Sequence, residues 1–158
     1  MQYVPAEHQK ALDKAFRSTV IIVLSFCFTP LLLVALGYFI GAKGGAIRAA
    51  ETYLLVTKAA YGGALIAGVA VVALRRFWLK LMRGGKRPVA AVLRKLRLLA
   101  LLGSVLGEIV AIIGFVAYSL SGDYQFCWRL GVVGLLLILY CFPRRWEWER
   151  TLTHHAQA

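Results

Sequence analysis

Long apolar stretches alternate along the chain with short, polar and mostly basic ones. Four apolar runs stand out, at 19–40, 53–74, 98–120 and 127–142. A helix needs roughly 20 residues to cross a hydrocarbon core about 30 Å thick, and the first three runs reach that length. The fourth is shorter, but Trp128 and Trp146 flank it where interfacial anchors belong. Backbone amides in lipid must find partners within their own segment, which makes runs of this length helices. They lack the alternation of barrel strands. The first run is longer than the roughly 7–15 apolar residues of a signal peptide, so it is read as a retained span. Pro30 at its middle predicts a kink unless a neighbour satisfies the freed carbonyl.

The second run does not stop at its apolar boundary. Residues 75–83 are acceptable helix formers, Gly84-Gly85 is a stop signal, and Pro88 suits the first turn of the next helix. Val89, Val92, Leu93 and Leu96 then recur at helical spacing. The pattern predicts a helical hairpin over 53–83 and 88–120. Its basic tip, within 75–97, projects about 10–15 Å beyond the bilayer at 1.5 Å per residue. The expected fold is thus an all-α integral membrane protein, one membrane domain over 1–158 with four transmembrane helices and a long central hairpin.

Composition agrees with this reading. Of 158 residues, 60% are hydrophobic and only 16% charged, with a mean hydropathy of +0.70. A soluble domain carries about 25% charged residues, so this chain has too little polar surface to clothe a water-soluble core. Charge then sets orientation. Lys10, Lys14 and Arg17 precede the first run, nine Lys and Arg fall in 75–97, and Arg144, Arg145 and Arg150 follow the fourth. Fifteen of the nineteen basic residues therefore fall on one side of a four-span arrangement. By the positive-inside rule both termini and the hairpin tip are expected in the cytoplasm, with the bacterial inner membrane as the location. The net charge of +12 is explained by topology, with no stacked-aromatic surface or zinc-finger spacing for nucleic acid. Arg83, Lys86 and Arg87 at the tip, with Trp146 and Trp148 after Pro143, are candidates for docking to anionic lipid or a partner protein.

Small residues mark helix contacts. Gly103 and Gly107 form a GxxxG pair continued by Ala111, and the second span carries Gly63, Ala64 and Gly68 among other small residues. Such spacing lets backbones approach closely, and it predicts that the second and third spans pack on each other. Glu108 lies near the middle of the third span. A carboxyl group there costs several kcal/mol if ionised and is a functional candidate by default. Ser104, one turn earlier, is placed to hydrogen-bond it. Lys58 is its expected counter-ion, across a vertical gap on the order of 6 Å when both helices are measured from their apolar boundaries.

The stretch 108–116, Glu-Ile-Val-Ala-Ile-Ile-Gly-Phe-Val, resembles the carboxylate helix of the proteolipid c subunits of rotary ATPases. Those subunits also have a Gly/Ala-rich partner helix and a polar turn containing Arg and Pro, matched here by Arg87-Pro88. The resemblance implies reversible protonation of Glu108. The whole chain resembles small four-helix inner-membrane proteins of bacteria that share such an acidic helix, a likeness that implies no particular activity.

Candidate chemistry is otherwise sparse. His8, His154 and His155 are terminal, so no span offers an axial haem ligand. The terminal His pair lacks a third ligand for a metal. Cys27, Cys127 and Cys141 are widely spaced, with no C-x-x-C motif. Neither a phosphate loop nor a nucleophile elbow is present. No enzyme activity, cofactor or metal is expected. The sequence is read as a non-catalytic transmembrane subunit or scaffold, packing against other integral membrane proteins or its own copies. The alternatives are a proton- or ion-translocating oligomer using Glu108, and a lipid-binding protein using the basic hairpin.

Overall fold

The computed structural model describes residues 6–41, 50–82 and 88–156. Five helices follow one another: α1 (Ala6–Gly41), α2 (Ala50–Met82), α3 (Val89–Ser121), α4 (Tyr124–Tyr140) and α5 (Arg145–Ala156). No strand occurs among the described residues, and four helical stretches are long and apolar enough to cross a membrane. The four apolar runs fall on α1 to α4. Helix α1 begins at Ala6 rather than near residue 19 and continues through Pro30 as one helix. Its first three turns are mostly good helix formers. Leu12 in the extension is buried on the same face as Thr19 and Val23 further along, and its cluster with Leu96 and Leu152 fastens the extension to the bundle.

The hairpin arms run 50–82 and 89–121. Pro88 stands one position outside its expected place, as the N-cap of α3, and its carbonyl accepts from the amides of Ala91 and Val92 at 2.9 and 3.2 Å. Residues 83–87, where the turn is expected, with Arg83, Lys86 and Arg87, lie outside the described residues. At the other end, two residues link α3 to α4. Gly122 takes φ 76°, a left-handed conformation that side chains disfavour, and its amide closes the helix onto Tyr118 O at 2.7 Å. Asp123 then caps α4 by accepting from the Gln125 amide at 2.9 Å. At 1.5 Å per residue, α3 is about 50 Å long, so it overhangs a 30 Å hydrocarbon core by about 20 Å.

Helix α3 is the centre of the bundle, packed by α1, α2, α4 and α5. Its small-residue stripe does not face α2, as the spacing alone predicts, but α4. A Cβ on Gly107 would lie 2.7 Å from the Gly134 carbonyl oxygen, and one on Gly134 would lie 2.5 Å from the Gly107 carbonyl oxygen. Gly103 is closed by Cys141, Gly114 by Leu130, and Ala111 touches the Gly134 position. Helix α4 answers with Gly134, while its Gly131 sits instead against Val34 of α1. Helix α2 meets α3 through a looser row, Ala60, Ala64 and Ala67, with Gly63 near the Ile113 side chain. Gly68 faces open space. The second and third spans do pack on each other, as expected; the stripe turns to α4 because α2 and α4 both carry small residues, and spacing within one helix cannot say which of them fills it.

The outside of the bundle is apolar. Phe28 is 73% exposed and Ile66 72%, and rows of exposed Leu, Ile and Val run along α1, α2, α3 and α4. Monomeric proteins in water rarely expose so large a contiguous apolar surface. Aromatic residues collect towards both ends, Tyr38, Tyr53, Tyr118 and Tyr124 at one and Trp78, Trp146 and Trp148 at the other.

Candidate functional site

Glu108 sits in the middle third of α3, half-buried, beside the exposed row Val105, Ile109 and Ile112. It takes part in no hydrogen bond or ion pair among the described residues. Ser104 is fully buried, and its hydroxyl donates to the Ala100 carbonyl of its own helix at 2.9 Å instead of to Glu108. Lys58 is exposed on α2. The Gly63–Ile113 contact fixes the register of the two antiparallel helices. Lys58 lies five residues from it in one direction and Glu108 five in the other, which separates them by about 15 Å along the axis. Glu108 is also about 140° around α3 from Ile113 at 100° per residue, on the flank away from α2. The expected Lys58–Glu108 pair is therefore absent. Measuring from apolar boundaries fails because the two helices overhang those boundaries unequally.

A second polar constellation closes the basic end. Arg75 of α2 is buried, its guanidinium donating to the Tyr140 carbonyl and to both Glu147 carboxylate oxygens, at 2.9 and 3.1 Å. It also lies 4.6 Å over the Tyr140 ring. After the break at 141–144, α5 runs on past the end of α4 and packs beside the ends of α1, α2 and α3. Arg145 extends this clamp, bonding Asp13 of α1 at 3.1 Å and Glu149 at 2.8 Å. Beneath it lies a separate core of Leu12, Val92, Leu93, Leu96, Trp148 and Leu152.

This corrects the docking role expected of Trp148. It is 3% exposed and packs edge-on against Phe16, ring centroids 5.6 Å apart. Trp146, two positions and about 200° around the helix, is 56% exposed and lies on the surface. Reading the segment as amphipathic identified its surface face but missed that its apolar face meets protein. The available signal was Leu12, Phe16, Thr19 and Val23 recurring every turn before and into the first apolar run. It shows a face needing cover outside the membrane-length segment.

Lys10, Lys14, Arg17, Arg76, Arg94, Arg97, Arg144 and Arg150 are exposed around this end. No group of three potential metal ligands occurs among the described residues. Cys27, Cys127 and Cys141 are free thiols, and the latter two fill buried space. No family model, curated protein or solved structure matches the chain.

Proposed function

We propose that the chain is a non-catalytic, multi-pass subunit of the bacterial inner membrane, with its basic end and both termini in the cytoplasm. It packs laterally against transmembrane helices of a larger complex or of its own copies. The observation that carries this reading is Glu108. A carboxylate at mid-span costs roughly 2.5–3.5 kcal/mol on insertion scales, and it recovers that cost only by pairing, protonation or contact with water. The fold gives it no partner among the described residues and leaves it beside an exposed apolar row, where a neighbouring chain can supply one. An apolar groove of about 390 Å³ between α2 and α3, rimmed by Leu55, Ala59, Ile112, Val116 and Leu120, adds a concave surface for such a neighbour. The ring of exposed cations supports docking of the basic end to anionic headgroups, each contributing about 1 kcal/mol.

Isolation from native membranes in mild detergent tests the reading. The expected result is a complex larger than the monomer that weakens on Glu108→Leu. Recovery of both forms as isolated monomers would refute it.

The same unpaired carboxyl favours one further reading, proton translocation by an oligomer, since a reversibly protonated acid must not be locked in an internal ion pair. That reading predicts proton flux in liposomes, abolished by Glu108→Gln with assembly retained.

A further inference from the structure

Helix α3 is packed on several sides and open on one. Leu98, Val105 and Ile112 recur every seven residues, and Leu101, Glu108 and Phe115 repeat the pattern three residues on. At 100° per residue these six positions fall within about 100° of one another. Their centre lies about 150° around the helix from Gly103, Gly107 and Gly114, which face α4. All six are exposed or half-buried, and no described helix covers this side. Alternating steps of three and four make a left-handed packing seam, the commonest crossing among membrane helices. The seam is about 25 Å long, most of a 30 Å core. Ile112 joins it to the apolar groove shared with α2.

Five of the six positions are apolar, and the sixth is Glu108. A lone polar residue in such a seam selects the helix that packs there and fixes its register. Height decides what can face it. The Gly63–Ile113 contact sets Lys58 level with residue 118 of α3 and Arg75 level with residue 101, and the Gly114–Leu130 contact sets Arg129 level with residue 115. Lys58 is thus about 15 Å from the height of Glu108, and Arg75 and Arg129 are each about 10 Å from it. Arg75 is committed to Glu147. Lys58 and Arg129 lie on the far half of the bundle, where long cationic side chains turn towards the nearer water. Copies of this chain inserted the same way keep these heights. Among the described residues, a second copy therefore offers Glu108 no cation, and seam against seam it offers another carboxylate.

We propose, on the subunit reading above, that the 98–115 seam of α3 receives one transmembrane helix of a different protein, bearing a lysine or arginine at mid-span that pairs with Glu108. Each charge is costly alone in hydrocarbon, and pairing lowers the cost of both at once. The apolar positions on either side of Glu108 add the close packing that holds membrane helices together. The charge pair then sets which helix docks and how far along α3 it sits.

The test uses the full chain, donor-labelled, in liposomes with acceptor-labelled leucine–alanine helices of about 24 residues whose central residue is lysine, leucine or glutamate. Energy transfer is expected to show the lysine helix bound about tenfold tighter than the leucine helix, the contribution of one polar contact between model membrane helices. Glu108→Leu, which breaks no internal bond, abolishes that preference, and Glu108→Lys passes it to the glutamate helix. In a chain with Cys27, Cys127 and Cys141 replaced by Ala, Val105→Cys forms a disulfide with a peptide cysteine one turn from the lysine. Leu24→Cys, exposed on α1, does not. Equal binding of the lysine and leucine helices would overturn the site, as would a preference that survives Glu108→Leu or trapping at position 24 instead of 105. Energy transfer between two labelled copies without peptide, lost in Glu108→Leu, would overturn it in favour of self-association. A complex recovered from native membranes while the peptides fail would leave the subunit reading standing and sink only the cationic partner. Monomers alone from native membranes would sink the subunit reading itself.

Discussion

The closest backbone approach in the bundle, where α3 crosses α4 at Gly107 and Gly134, yields the sharpest stability prediction. In Gly107→Ala the new methyl carbon lies 2.7 Å from the Gly134 carbonyl oxygen, 2.7 Å from the Ile138 side chain and 3.1 Å from the Ile138 amide nitrogen. Ordinary contacts begin near 3.4 Å. Two of these three atoms are backbone, so no rotamer change relieves the clash and α4 must retreat by several tenths of an ångström along the whole stripe. Overpacking of this kind costs about 1–3 kcal/mol. The upper half of that range applies because Gly103 and Gly114 are closed by the same helix. Gly62→Ala is the internal control. Nothing lies within 4 Å of its added carbon, and alanine is a better helix former by up to about 1 kcal/mol. Reversible unfolding in mixed micelles, extrapolated to zero denaturing detergent, reads the difference. Gly107→Ala is expected to lose about 2 kcal/mol or more while Gly62→Ala is unchanged or gains. Equal effects of the two substitutions, or a larger loss at Gly62, would refute the assignment of the small-residue stripe to the α3–α4 contact.

Three further outcomes follow from the basic end and the site. Arg75→Met leaves Glu147 without its buried partner and is expected to cost about 3 kcal/mol. It should also release α5, read as faster proteolysis within 145–156. Trp148→Ala removes a buried ring and is expected to lose about 3–5 kcal/mol, whereas Trp146→Ala stays within about 0.5 kcal/mol; thermal unfolding in detergent compares them. Replacing Ser104 by Ala is expected to leave any Glu108-dependent assembly intact, because its hydroxyl is committed to Ala100. Loss of assembly in that variant, read by native electrophoresis, would show that Ser104 serves Glu108 after all.

Much of the architecture was legible because membrane-length hydropathy and Gly/Pro punctuation are local signals. Hence the four apolar runs fall on four long helices, and the hairpin arms end within a few residues of their expected bounds. Glu108 stood out for an equally local reason, an acid among apolar neighbours. Pairings were not legible. The direction of the glycine stripe depended on what α4 offers, and the separation of Lys58 from Glu108 depended on how far two helices slide past each other. The Arg75–Glu147 clamp joins residues 72 positions apart. Arg75 and Glu147 look like ordinary interfacial charges until α5 is seen to pack beside the end of α2. The same packing buries Trp148 while leaving its near neighbour Trp146 outside.

The orientation of the bundle in a bilayer underlies the proposed subunit role and the proposed docking seam. The most direct measurement is labelling of intact cells with a membrane-impermeant maleimide, using Gln125→Cys and Arg150→Cys as single-cysteine reporters at exposed positions, each in a chain whose Cys27, Cys127 and Cys141 are replaced by Ala. Labelling of position 125 from outside, with position 150 reacting only after permeabilisation, is the result expected. Labelling of position 150 in intact cells, or release of the chain from membranes by alkaline washing, would contradict it.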